Sequence, residues 1–134
     1  MEKHYFNPGK DGFYGVYYPC SKKTNKAFIV MLGDSSDDRM AQSGAKWMQK
    51  LGCNVMAMSP DKQDYGHHNY PLERFEKAIA YLKSQGNEKI GIAGASTTGM
   101  ILDQHPIILI LHRCVSIALV FFLAIHIFVF HKKL

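Results

Sequence analysis

Three short, continuously apolar runs constrain this chain more than any other feature: "AFIVML" at 27–32, "NVMAM" at 54–58 and "KIGIAG" at 89–94. A strand with one wet face alternates apolar and polar residues. These runs leave almost no polar position, as in a strand buried on both faces of a parallel sheet. Parallel neighbours need crossover connections, and segments of helical period lie between the runs. In "RMAQSGAKWMQKLG" (39–52), Met40, Gly44, Trp47, Met48 and Leu51 recur at helical spacing, with Gln42, Lys46 and Lys50 on the other side. This predicts a helix whose core face carries Trp47 and the methionines. Ser35 or Ser36 stands where a cap is needed, Asp37 and Asp38 suit the helix's positive end, and Gly52 ends it. A second helix starts at Pro71, a favoured first position. Its stripe is Leu72, Phe75, Ile79 and Leu82; Glu73, Glu76, Lys77 and Lys83 face water, and Gly86 ends it. Upstream, "GFYGVYYP" (12–19) alternates and is aromatic, as in an outer strand. The order is outer strand, then strand–helix–strand–helix–strand, which predicts the α/β class with right-handed crossovers.

The chain is 134 residues long, enough for one modest domain with its own core. Its composition is uneven: residues 1–100 mix polar and apolar, whereas from Ile101 onward the charged residues are only Asp103, Arg113, Lys132 and Lys133. The formal charge of +5 comes from basic residues scattered among acids (Lys22, Lys23, Lys26, Lys46, Lys50, Lys62). That is a solvated surface rather than a nucleic-acid footprint, so no nucleic-acid partner is expected. Cys20, Cys53 and Cys114 are far apart and odd in number, with neither a disulfide framework nor zinc spacing, which suggests a reducing compartment. The first dozen residues hold no apolar run, so no signal peptide is expected. His67 and His68 are adjacent in a loop, point apart and lack a third ligand, and Asp61 and Asp64 read as loop residues. No metal or cofactor is expected.

The chemistry lies at the end of the third apolar run. Gly94-Ala95-Ser96-Thr97-Thr98-Gly99 falls between a buried strand and an expected helix. A nucleophile elbow needs that context, because the sharp turn presents the Ser96 hydroxyl above the sheet edge. Small flanking residues let strand and helix approach. Gly94 supplies one, whereas Thr98 stands where the motif wants a tiny residue and Gly99 follows one place late. The bland alternative is a Ser-Thr cap on an ordinary helix. As an elbow, Ser96 would sit in a strained, positive-φ turn. The Thr97 N–H would form half of an oxyanion hole, and the loop at Gly33, Asp34 and Ser35 the other half.

"GDSSDDRMAQSGAKWMQKLGCNVMAMSP" and "YGHHNYPLERFEKAIAYLKSQGNEKIGIAGASTTGM" together resemble the acyl-CoA thioester hydrolase / bile acid-CoA:amino acid N-acyltransferase C-terminal domain family, a branch of the α/β-hydrolase superfamily. The resemblance spans 12–100 and rests on the elbow, the Pro-Leu-Glu-Arg helix start and the Trp helix occurring in order. It implies a partial α/β-hydrolase domain over 1–100, the N-terminal half of that parallel sheet. It also implies an acyl-CoA-type small-molecule substrate, no cofactor and a cytoplasmic setting. Ser96 matches the nucleophile position, and serine rather than cysteine there leans toward hydrolysis. The family's acid and histidine follow the nucleophile in the order Ser…Asp…His. Asp103, His105, His112, His126 and His131 match no family motif, so none is assigned to a triad and little or no thioesterase activity is expected.

The tail, 101–134, does not follow the family. Across 115–130 only Ser116 and His126 are polar, and extension back to 107 takes in His112 and Arg113. That approaches the ~20 apolar residues that cross a bilayer, with Arg113 and Lys132-Lys133 at the two ends. One reading is therefore an apolar helix, membrane-spanning and single-pass over 107–130, on a non-enzymatic protein; another is a buried core helix. The preferred reading is a reading-frame slip near Ile101. Codons for Ser-Ala-Ser-Tyr-Tyr-Pro-Asp-Ile-Thr, a segment of the family type, read one frame over spell the residues at 103–112. The expected tail is a short helix broken by Pro106 and then a long apolar helix. It offers no strand to cover the outer edge of 89–94, which would be left open.

Overall fold

The computed structural model of the chain describes residues 2–32, 35–59, 70–95, 114–117 and 125–130. In chain order the elements are β1 (His4–Phe6), α1 (Pro8–Asp11), β2 (Gly15–Tyr18), β3 (Lys26–Met31), α2 (Arg39–Lys50), β4 (Asn54–Met58), α3 (Glu73–Ser84), β5 (Lys89–Ala95), β6 (Cys114–Ile117) and β7 (Ile125–Phe130). They form one mixed sheet of order β1-β2-β4-β3-β5-β7-β6. The three apolar runs lie side by side at its centre. β3 pairs in parallel with β4 and with β5, so Met31 stands level with both Met58 and Gly94. The expected outer strand is β2, antiparallel to β4; a further strand, β1, lies outside it.

Two layers cover the central strands. α3 lies over one face, where Phe75, Ala78 and Leu82 join Ile29, Met31, Met56, Met58, Ile90 and Ile92, with Leu72 and Ile79 partly buried against them. α2 lies over the other face, where Ala41, Ala45 and Met48 meet Val16, Val30, Val55 and Ala57. Both helices are followed by the glycine expected, Gly52 at φ 77° and Gly86 at φ 82°. In this left-handed conformation a Cβ would be strained, so glycine suits the helix exit.

The face of α2 corrects the expectation. Met48 is buried as expected, but Met40, Trp47 and Leu51 are 57%, 55% and 58% exposed, and the small residues Ala41 and Ala45 lie against the sheet beside Met48. Two stripes one residue apart, 40-44-47-51 and 41-45-48, have the same helical spacing. Side-chain size decides between them: alanines let the helix backbone approach strands that carry valines. The cap also differs. Asp38, not Ser35 or Ser36, is the N-cap, its carboxylate accepting from the Ala41 N–H at 2.8 Å. Pro71 precedes the first helical residue of α3 by two places, and its carbonyl accepts from the Arg74 N–H.

The described residues of the tail form strands, not the expected apolar helix. β7 pairs antiparallel with β5, Gly91 opposite Val129 through Ala95 opposite Ile125, and β6 pairs antiparallel with β7. The edge of β5 is therefore covered, contrary to the reading that left it open. Val115, Ile117, Ile125, Ile127, Phe128, Val129 and Phe130 are β-branched or aromatic, types that suit strands. An apolar run without polar punctuation does not by itself distinguish the two periods. Among the described residues no helix is long and apolar enough to cross a membrane. The helix expected before Pro106 lies outside the described residues.

Removal of the tail strips β5 of its partner and leaves a row of backbone donors and acceptors open on an apolar strand. Residues 1–100 expressed alone are therefore expected to be insoluble or molten. A sharp, dispersed amide NMR spectrum from that fragment would contradict this.

Candidate active site

The carboxyl ends of β3, β4 and β5 reach one edge of the sheet together. Open α/β sheets place their ligands beyond this edge. Three connections leave from it: the β3–α2 loop at 32–38, the segment after β4 beginning at Ser59, and the segment after Ala95. Gly94 is buried in β5, opposite Met31 on one side and His126 of β7 on the other. The strand thus ends within a residue of the expected position, and β7 brings a histidine position to the same level. Gly94 and Ser35 are the candidate site residues whose positions are described. Asp34, Ser96, Thr97 and Gly99, with Gly33, lie outside the described residues, as do Asp61, Asp64, His67 and His68.

The β3–α2 loop is fastened from several sides. Ser36 is fully buried and its hydroxyl donates to that of buried Ser59 at 3.1 Å, tying the ends of β3 and β4 together. Asp37 collects three donors: Lys3 Nζ at 2.8 Å and Tyr18 Oη at 2.7 Å on Oδ1, and Tyr5 Oη at 2.8 Å on Oδ2. Tyr18 shares its proton with the Ser36 carbonyl at 3.0 Å. Gln42 of α2 donates to the Asp37 carbonyl at 2.8 Å. The Ser35 hydroxyl accepts weakly from the Asp37 N–H at 3.4 Å. Residues 35–37 are thereby held to β1 through Tyr5, to β2 through Tyr18, to Ser59 just beyond β4, and to α2 through Gln42.

The local sequence pattern assigns Asp37 only a role at the helix end. Its partners lie 19 to 34 residues away, so no local pattern announces them. Electrostatics follow the geometry. Burial acts to raise the Asp37 pKa, but the hydrogen bonds from Lys3, Tyr18 and Tyr5 outweigh it and hold the carboxyl below its usual range. Burial, with the bond to Asp37 second, pushes the Tyr18 phenol upward, so it stays a neutral donor. The hydrogen bond to Asp37 holds Lys3 protonated.

At the opposite end of the sheet a buried amide chain closes the base. Asn54 Oδ1 accepts from the Cys20 N–H, Asn54 Nδ2 donates to Asn87 Oδ1, and Asn87 Nδ2 donates to the Leu82 carbonyl, each within 2.9 Å. Every one of these side-chain polar atoms has its partner, which marks the network as structural. Among the described residues no group of three His, Cys, Asp or Glu could hold a metal ion. No family model matches this chain, and no curated protein or solved structure matches it.

Because the Asp37 carboxyl is depressed in the folded state, its contribution is present above the unfolded value near 3.8 and lost as pH falls through the lower folded value. Asp37→Asn is expected to destabilise by about 1–2 kcal/mol near neutral pH, partial exposure tempering the charged bonds. Urea unfolding across pH should show the difference from the unsubstituted chain shrinking in acid. A difference that stays constant from neutral pH to well below the carboxylate range would refute this electrostatic role.

Proposed function

We propose that this chain carries the front half of a serine hydrolase acting on acyl-CoA or similar acyl thioesters, with Ser96 at the nucleophile position and no competent triad as the sequence stands. The observation that carries the reading is the level of the strand ends. β5 runs to Ala95, immediately before Ser96, and Gly94 is in register with Met31, two residues before the loop at Gly33. A nucleophile leaving β5 and backbone donors leaving β3 would then meet above one edge, as acyl transfer through a tetrahedral oxyanion requires. Thr97 and the Asp34–Ser35 loop are the candidate donors.

The substrate class rests on the resemblance over 12–100, and the serine at position 96 favours water over an amine as acceptor. A serine hydroxyl is a weak nucleophile until a base within hydrogen-bond reach takes its proton and an acid orients that base. The histidines after Ser96, His126 opposite Gly94 included, follow no family motif. The tail is best read as the product of a frame slip, which replaced the segment where acid and base would follow.

Thiol release from a panel of acyl-CoAs tests both halves of this reading. The 134-residue chain should release no more thiol than its Ser96→Ala variant. A gene read in the neighbouring frame past codon 100 should give a protein that releases thiol and loses that activity on Ser96→Ala. Ser96-dependent turnover by the present chain would overturn the missing triad. A folded restored-frame protein that is inert, or whose activity ignores Ser96→Ala, would overturn the hydrolase reading.

A further inference from the structure

The outer side of α2 carries two parallel ridges. Met40, Trp47 and Leu51 form one, all more than half exposed. Arg39, Lys46 and Lys50 form the other, each the residue just before its apolar neighbour and each exposed. The spacing 39-46-50 repeats 40-47-51, so the cationic ridge runs beside the apolar one along the whole helix. Arg39–Lys50 contains no acidic residue. The nearby acids are engaged elsewhere, Asp38 as the cap and Asp37 with Lys3 and the two tyrosines. Beside the last turn, a groove of ≈ 610 Å³ lined by Ser21, Lys22, Lys46, Gln49 and Lys50 extends the cationic strip.

Scattered exposed apolar residues need no explanation, but a ridge of three large ones beside a matching row of cations is more than scatter. Dipole complementarity accounts for Lys46 and Lys50 near the carboxyl end of α2. It does not account for Arg39, which opens the helix at its positive end. We propose that this side of α2 docks on the surface of a bilayer containing anionic lipid. Met40, Trp47 and Leu51 enter the headgroup–acyl boundary, and the cations reach the phosphates with their stems along the apolar ridge. Tryptophan is suited to that boundary. A second copy of the chain fits less well, because a two-fold contact here would set one cationic ridge against another. The proposal concerns α2 alone and depends neither on the tail nor on the proposed chemistry.

Trp47 is the chain's only tryptophan, so intrinsic fluorescence reports on this surface and not on the tail. With the full chain, vesicles of mixed phosphatidylglycerol and phosphatidylcholine should move Trp47 emission to the blue and make it quenchable by lipids brominated on the upper acyl chain. Phosphatidylcholine vesicles or inorganic phosphate alone should leave it unchanged. The doubly substituted Lys46→Glu, Lys50→Glu chain, altered only at exposed positions, should partition at least about tenfold less, since each surface cation contributes severalfold. Four results would each overturn the proposal: no blue shift with anionic vesicles, an equal shift with neutral vesicles or with phosphate alone, undiminished partitioning of the double variant, or a vesicle-free shift that grows with protein concentration. The last would assign the surface to self-association.

Discussion

The parallel pairing of β3 with β4 and β5 is the constraint on which the rest of the molecule depends. It sets Met31, Met58 and Gly94 level, so three connections leave the sheet at one edge. It also leaves the central strands with two faces to bury, which requires a helix on each side. The side-chain inventory of β3–β5 meets that demand: Val30, Val55, Ala57 and Ala93 lie toward α2 with Phe28 partly buried beside them, and Ala27, Ile29, Met31, Met56, Met58, Ile90 and Ile92 lie toward α3. A charged residue at Ile29, Met56 or Ile92 would cost far more than one on either helix's outer side, because no water reaches those positions.

Much of this was legible in the sequence because it is periodic. Continuous apolar runs gave β3, β4 and β5, helical spacing gave α2 and α3, and glycines marked the helix ends. The features that were not legible have identifiable physical causes. β1 is three residues long and pairs on one side only, too short for a pattern to show. The face of α2 could not be read from spacing, because two stripes fit and only the size of the facing strands chooses. The tail is apolar without a period, so its length and composition suggest a helix, whereas its described residues pair as strands beside β5. The fastening of Asp37 depends on residues brought together from β1 and β2, which no window along the chain contains.

The candidate site divides in the same way. Residue types at 94–99 suggest an elbow because a buried strand and small residues coincide within one window. The strand end is where that motif requires it, and the β3–α2 loop is held firmly by the buried Ser36–Ser59 pair and the Asp37 cluster. The acid, base and pocket that the proposed function would need are long-range features, for which no local pattern exists. Under the proposed function, the chain would be a scaffold whose nucleophile position, Ser96, directly follows the last residue of β5. The elements that would activate the serine are not recognisable in the tail, where two apolar strands, β7 and β6, extend the sheet instead.

The central claim is that the chain turns sharply at Ser96 as a nucleophile elbow rather than continuing into an ordinary helix. The backbone conformation of that one residue tests it most directly, from an experimental structure of the full chain. The account predicts a positive φ, a conformation that costs a non-glycine residue ~1–3 kcal/mol and persists only where the surroundings enforce it. An ordinary negative φ, with Ser96 as a helix cap or within a helix turn, would contradict the elbow and leave the chain without an identified nucleophile.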